Sequence, residues 1–315
     1  MPTEEPLDGD SILLLEDLSN WNHEGVSLAV LGHPIDHSIS PAIHNAALLK
    51  MSLSMPNFTS WKYFRFQIPL DLLKNSLSAF STNGFRGLNL TIPHKVEVLE
   101  LVDWIDPEAE AMGAVNTLVF REDGRCDGFN TDGQGLERAL KDDLDVSLDG
   151  SSVILLGAGG AARAAATRFL RAGCSELWIG NRSPKRLERL QKELSPMTEQ
   201  RLETFALDDL PLDLPRGAGV LVVNATSLGL RPEDESPFSW ANFSDEAIAY
   251  DMIYNPAETG FLQMARARGM RASNGLSMLI RQAAHSLEIW TGEKVPAGPM
   301  FKAAQAILDG DDLNL

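Results

Sequence analysis

Residues 151–170 read SSVILLGAGGAARAAATRFL, and this stretch decides the fold. A short apolar run ends in a glycine cluster, which opens onto an alanine-rich segment with strong helix propensity. Strand, glycine turn and helix in that order make the phosphate-binding corner of a dinucleotide fold. Gly157, Gly159 and Ala162 satisfy G-x-G-x-x-G/A. Gly157 permits the tight turn and Gly159 a close backbone approach. A pyrophosphate is expected on the amides of Gly157, Ala158, Gly159, Gly160 and Ala161, at the helix N-terminus.

The end of the next strand names the dinucleotide. A cofactor with a free 2′-hydroxyl calls for Asp or Glu about 20 residues on. The chain instead runs WIGNRSPKR over residues 178–186, placing Asn181, Arg182, Ser183 and Arg186 there. Arginine's planar fork suits a 2′-phosphate, so the expected cofactor is NADP rather than NAD. A solvated helix start accounts for Lys185 and Arg189 but not for the missing acid.

Working outward, strands and helices alternate on both sides. VSLAVLG, WKYFRFQI and FRGLNLT read as strands, with helices PAIHNAALLK, DLLKNSLSAFST and PHKVEVLELVDWI between and after them. GAVNTLVF and GRCDGFNTD form a hairpin across REDG. Beyond the glycine turn come strands GVLVVNAT and AIAYDMI, helix TGFLQMARARGM, and two amphipathic helices near the C-terminus. The fold class is α/β, with mostly parallel sheet and a length suited to two domains. Residues 1–25 are acidic, contain no Lys or Arg, and read as an extension in which SILLLEDLSNW forms a short helix.

Composition narrows the partners. A net charge of −17 speaks against nucleic acid or an anionic membrane surface. No apolar run approaches the ~20 residues of a membrane span. The first Lys or Arg is Lys50, which argues against a charged leader or transit peptide. Cys126 and Cys174 form neither a disulfide framework nor a zinc motif, so a cytoplasmic setting is expected. His33, His37, His44 and His94 cluster in the first region, but none has zinc-type spacing with a carboxylate or cysteine, and no metal is expected.

Residues 87–95, GLNLTIPHK, set a puzzle. Ile92 precedes proline and should be non-helical, while Pro93 opens a helix. Lys95 then stands near the third helical position, where the macrodipole disfavours a cation by about 0.3–1 kcal/mol. An exposed lysine tolerating a small penalty is the plain reading, and the rest of the chain decides whether it stands.

GHPIDHSISPAIHN, GLNLTIPHK, AVNT, GFNTDGQG, GAGGAAR, NRSPKR, NATSLG, DMIYNP and NGLSMLIRQAAHSLEIW follow one another in an order that resembles the shikimate dehydrogenases. The resemblance implies reversible reduction of 3-dehydroshikimate to shikimate with NADPH, on the route to chorismate and the aromatic amino acids. It implies a substrate domain from residues 26–131 plus 275–315, with a Rossmann-like NADP domain, residues 132–274, inserted in it. Lys95 and Asp132 would be the catalytic pair. Ser38 and Ser40 would bind the substrate carboxylate, and Thr91, Asn116, Tyr254 and Gln282 its hydroxyls or carboxylate. Met252 and Gly275 would lie near the nicotinamide. Ser40 before Pro41 also has a plainer use as a helix N-cap. The N-terminal extension and a slightly longer MSLSMPNFTSW depart from the family pattern. A quinate or dual-specificity dehydrogenase and a non-catalytic NADP-sensing module are the alternatives. Assembly is left open, with a homodimer one candidate.

Overall fold

The computed structural model describes residues 11–231 and 233–310. The chain begins with β1 (Ile12–Leu13), β2 (Val26–Gly32), α1 (Ser40–Ser52), β3 (Trp61–Gln67), α2 (Leu73–Thr82) and β4 (Phe85–Leu90). There follow α3 (His94–Glu97), β5 (Trp104–Ile105), α4 (Pro107–Met112), β6 (Thr117–Phe120) and β7 (Cys126–Phe129). Next come α5 (Asp132–Leu144), β8 (Ser152–Leu156), α6 (Gly160–Arg171), β9 (Glu176–Asn181), α7 (Pro184–Leu194) and β10 (Arg201–Ala206). The last elements are β11 (Leu221–Asn224), β12 (Ile248–Asp251), α8 (Gly260–Ala267), β13 (Arg271–Ser273), α9 (Leu276–Thr291) and α10 (Ala297–Asp309). The described residues form two compact units, the first from residues before Asp132 together with those from Gln282 on, the second from Asp132 to Arg281, so the second crossing falls within α9.

The first unit holds a seven-stranded sheet in the order β1-β3-β2-β4-β6-β7-β5. It is parallel except where β6 runs against β4 and β7. Helix α10 packs along α1, and the Trp290 indole of α9 donates to the Leu118 carbonyl at 2.8 Å. That ring sits where a side chain on Gly87 would project, so only glycine fits there.

The expected helix over SILLLEDLSNW is replaced by a strand and a 3₁₀ turn. Ile12 and Leu13 pair beside Arg65 and Phe66, and the turn covers Leu15–Asn20. Trp21 then packs on Phe64 and Phe85, with ring centres 4.8 and 4.9 Å away. The apolar run ILLL gains more from covering the sheet edge than an isolated short helix could supply. Residues 1–10, the start of the expected extension, lie outside the described residues.

The second unit's six strands are all parallel, in the order β10-β9-β8-β11-β12-β13. This is the doubly wound arrangement, with the strand order reversing beside β8. Alternate residues serve opposite cores: Val153, Leu155, Leu177 and Ile179 face one, and Ile154, Leu156 and Trp178 the other. Strands β10 and β13 read as polar RLETFA and RAS and carry little strand signal. They form because β9 and β12 offer open edges.

Candidate active site

The serine loop lies between β2 and α1. Helix α1 starts at Ser40 itself, with Ile39 in the cap position and no side-chain cap bond. The plainer use of Ser40 as an N-cap is therefore corrected: Pro41 falls at the second helical position, one place further in than that reading required. The Ser38 hydroxyl accepts the Ser40 amide at 3.4 Å, and Arg65 donates to the Asp36 and Ser38 carbonyls at 2.8 and 3.1 Å. A guanidinium from β3 thus braces the backbone that carries both serines.

The lysine turn also differs from expectation. Helix α3 spans four residues, is followed by a 3₁₀ turn over Val98–Glu100, and the chain then extends into β5. The expected helix through KVEVLELVDWI does not form. Trp104 and Ile105 are drawn into pairing with Asp127 and Gly128, and the valines weaken helix propensity. With so few aligned peptides the macrodipole is small, so the penalty that made Lys95 puzzling largely vanishes. Main-chain ties set its place instead. Thr91 donates its amide to the Leu31 carbonyl at 3.0 Å and accepts from the His94 amide at 2.8 Å. The Lys95 carbonyl accepts the Val115 amide at 2.8 Å. His94 is buried with its Nε2 bonded to the Ile68 carbonyl, and burial lowers its pKa, so it anchors the turn as a neutral ring.

Near this turn in sequence, AVNT carries the polar centre of the first unit. Asn116 is buried, and its Oδ1 accepts from the Thr131 amide at 3.0 Å and the Thr117 hydroxyl at 2.8 Å. Its Nδ2 meets Thr131 Oγ1 at 3.0 Å and Gln282 Oε1 at 3.4 Å. Two residues expected to touch substrate, Asn116 and Gln282, are therefore brought together from positions far apart in sequence. Asn89, Thr131, Ser286 and Tyr63 complete the cluster and were not singled out from sequence. The available signal was Asn89, a lone amide inside the apolar strand FRGLNLT.

In the second unit Asp132 is the first residue of α5 and follows Thr131 directly. Gly157 has φ +117°, and a Cβ there would lie 2.8 Å from the Ala225 carbonyl oxygen, so glycine is required. Gly159 and Gly160 have nothing within 4 Å of a would-be Cβ. The space over the start of α6 is open, as a pyrophosphate cradle needs.

Asn181 ends β9 and donates to the Ser183 carbonyl at 3.3 Å. Ser183 precedes α7 with no side-chain cap bond, and Arg186 is exposed on the first turn. Exposed Arg182 borders a cavity of about 440 Å³ with Leu207, Asp208, Leu228, Glu235, Ser236 and Pro237. Arg182 and Arg186 offer guanidinium groups that fit a 2′-phosphate, while the cavity beside Arg182 mixes apolar Leu207, Leu228 and Pro237 with the carboxylates of Asp208 and Glu235.

A Cβ on Gly275 would lie 2.7 Å from the Met252 carbonyl carbon, and the Gly275 amide bonds the Ile253 carbonyl at 3.0 Å. Met252 and Gly275 are thus packed backbone to backbone. Asp251, buried with its pKa raised by desolvation, accepts from Thr259, Asn224 and Ile253 at 2.6, 3.0 and 3.0 Å and so fixes the strand end before Met252. Tyr254 is half-buried, which raises its pKa.

Among the described residues no three His, Cys, Asp or Glu side chains gather as metal ligands do. His37 is exposed, whereas His44 is buried and stacked on Tyr63 at 4.0 Å.

Three family models match the chain. The shikimate dehydrogenase substrate binding domain matches residues 30–118, the shikimate/quinate 5-dehydrogenase residues 138–227, and the shikimate 5′-dehydrogenase C-terminal domain residues 275–305. A shikimate dehydrogenase (NADP(+)) of Methanopyrus kandleri is 38% identical over 278 residues, which is 88% of this chain and 93% of that protein. The shikimate 5-dehydrogenase of Thermus thermophilus, solved with NADP(H) and shikimate, is 38% identical with a TM-score of 0.76. The match covers 89% of this chain and 98% of that one. The quinate dehydrogenase of Corynebacterium glutamicum, solved with NAD, is 28% identical with a TM-score of 0.78, over 90% and 99% of the two chains. With these motifs on this fold, the chain belongs to the shikimate dehydrogenase family of oxidoreductases.

Proposed function

We propose that the protein catalyses the reversible reduction of 3-dehydroshikimate to shikimate with NADPH, within aromatic amino acid biosynthesis. Its cofactor is NADP. The observation that supports this reading best is the polar centre. The first unit buries Asn116 with its oxygen fully engaged and brings its amide nitrogen to Gln282. A ring bearing several hydroxyls and one carboxylate needs such fixed donors. The glycine turn, open above Gly159, and the exposed guanidinium groups of Arg182 and Arg186 suit NADP.

The bound nicotinamide supplies the hydride to the ring carbonyl carbon. The chain's own residues handle position and proton. Ser38 and Ser40 take the carboxylate; Thr91, Asn116, Tyr254 and Gln282 orient the hydroxyls. Lys95 and Asp132 serve as the catalytic pair, with Lys95 polarising the carbonyl and giving a proton to the oxygen as negative charge develops there. In the reverse direction Lys95 takes that proton back.

Quinate carries one more hydroxyl on the carbon that bears the carboxylate. Both serines are present here, and resemblance suggests that quinate users often change one of them. Initial rates with shikimate and quinate, each with NADP and NAD, test the assignment. Turnover concentrated in shikimate with NADP is expected. Faster quinate turnover would transfer the activity to the rival dehydrogenase, and NADP binding without any turnover would favour a sensing module.

A further inference from the structure

The polar centre extends past the side chains that would touch a substrate. Tyr63, in β3, is fully buried with its ring stacked on His44, and its hydroxyl donates to Asn89 Oδ1 at 2.7 Å. Asn89 Nδ2 meets the Asn116 carbonyl at 3.0 Å, Thr117 Oγ1 at 3.1 Å and Ser286 Oγ at 3.0 Å. Ser286 in turn reaches Thr117 at 2.8 Å, Thr131 at 3.1 Å and the Gln282 carbonyl one turn back along α9 at 3.1 Å.

The polarity of each amide follows from groups that can play one role alone. The Asn116 carbonyl can only accept, so Asn89 must turn its nitrogen inward and its oxygen to Tyr63. The Thr131 amide can only donate, so Asn116 turns its oxygen there and its nitrogen toward Gln282. Gln282 therefore offers Oε1 to Asn116.

We propose that Tyr63 and Ser286 are positioning residues for substrate recognition: Tyr63 holds Asn89, and Asn89 and Ser286 together hold Thr117 and Thr131, the two groups that orient the Asn116 side chain and through it Gln282. This rests on the functional reading above. Loss of the Tyr63 hydroxyl strands Asn89 Oδ1 in a buried site. Loss of the Ser286 hydroxyl removes the link from Asn89 to α9 and to Thr131. Either way a buried amide loses a partner, and the orientation it enforced weakens.

The test is steady-state kinetics of Tyr63→Phe, Ser286→Ala and the double variant, with shikimate and NADP varied separately. Each single change should raise the shikimate KM roughly tenfold, as expected for one buried hydrogen bond, and leave the NADP KM unchanged. The double variant should fall short of the product of the two, because both act through Asn89. A kcat decrease with both KM values unchanged, which is what a merely structural role gives, would overturn the proposal. So would wild-type KM values in both variants. If the wild type turns over no shikimate, the functional reading fails and this role with it; an active wild type with unmoved variants sinks this role alone. Ser286→Cys, close to serine in volume, serves if the other variants do not fold.

Discussion

The two units are both sheets flanked by helices, yet they hold functional groups by opposite means. The second presents backbone: a glycine at φ +117°, two glycines open to space, and Gly275 pressed on Met252. Everything needed lies within a few residues of a strand end. The first presents side chains, and its centre is assembled from Tyr63, Asn89, Asn116, Thr131 and Ser286, whose directly bonded members lie up to 197 residues apart in sequence. Backbone sites are robust to the surrounding core, whereas a buried side-chain network is stable only when every member is satisfied.

The largest effect expected from this contrast is a pH dependence of stability. Burial pushes the His44 pKa down to about 4 from 6.5, despite its bond to the Ser40 carbonyl at 2.8 Å. The unfolded chain protonates this ring first, so it binds more protons than the folded protein between those values. Stability should therefore be intact above 6.5 and decline as pH falls toward 4, by up to about 3 kcal/mol from this group. Urea unfolding across that range should show a shallower slope for His44→Asn than for wild type. Equal slopes would remove His44 from the account.

Trp21→Ala comes next, because it strips the N-terminal segment from Phe64 and Phe85. A partly exposed tryptophan should cost about 2–3 kcal/mol in denaturant unfolding. A neutral result would mean that the segment lies on the sheet without stabilising it. Arg182→Ala should reduce the NADP preference over NAD by about tenfold or more, since a charge-assisted pair is lost. Equal loss with both cofactors would place the 2′-phosphate elsewhere.

The smallest pair separates backbone strain from ligand space. Gly157→Ala should lower the melting temperature, because both its φ and the Ala225 carbonyl oppose a side chain. Gly159→Ala should melt normally yet raise the NADP KM several-fold, because its Cβ would enter only the open cradle. If the two variants behave alike, the distinction between the glycines fails.

The same contrast explains what could be read from the chain. The β8 strand, the glycine turn and α6 were legible because strand, turn and helix signals are local. The alternation of strands and helices was equally plain. The helix expected after Pro93 was not, because β5 is formed by pairing with β7, and no sequence window sees a partner strand. Ser40 as a cap was a one-residue error in a helix start, which propensity does not resolve. Strands β10 and β13 owe their existence to neighbouring edges. Tyr63 and Ser286 escaped notice since a single tyrosine in an aromatic strand, or a serine on an amphipathic helix, has an ordinary packing role until its partners are known.

The central claim is that Lys95 carries the proton in an NADP-dependent reduction, and Lys95→Ala tests it most directly. The measurement is the rate of NADPH consumption with 3-dehydroshikimate in wild type and variant, alongside NADPH affinity by fluorescence titration. A fall in kcat of roughly 10²-fold or more is expected, with NADPH affinity retained. A variant that keeps wild-type turnover would contradict it.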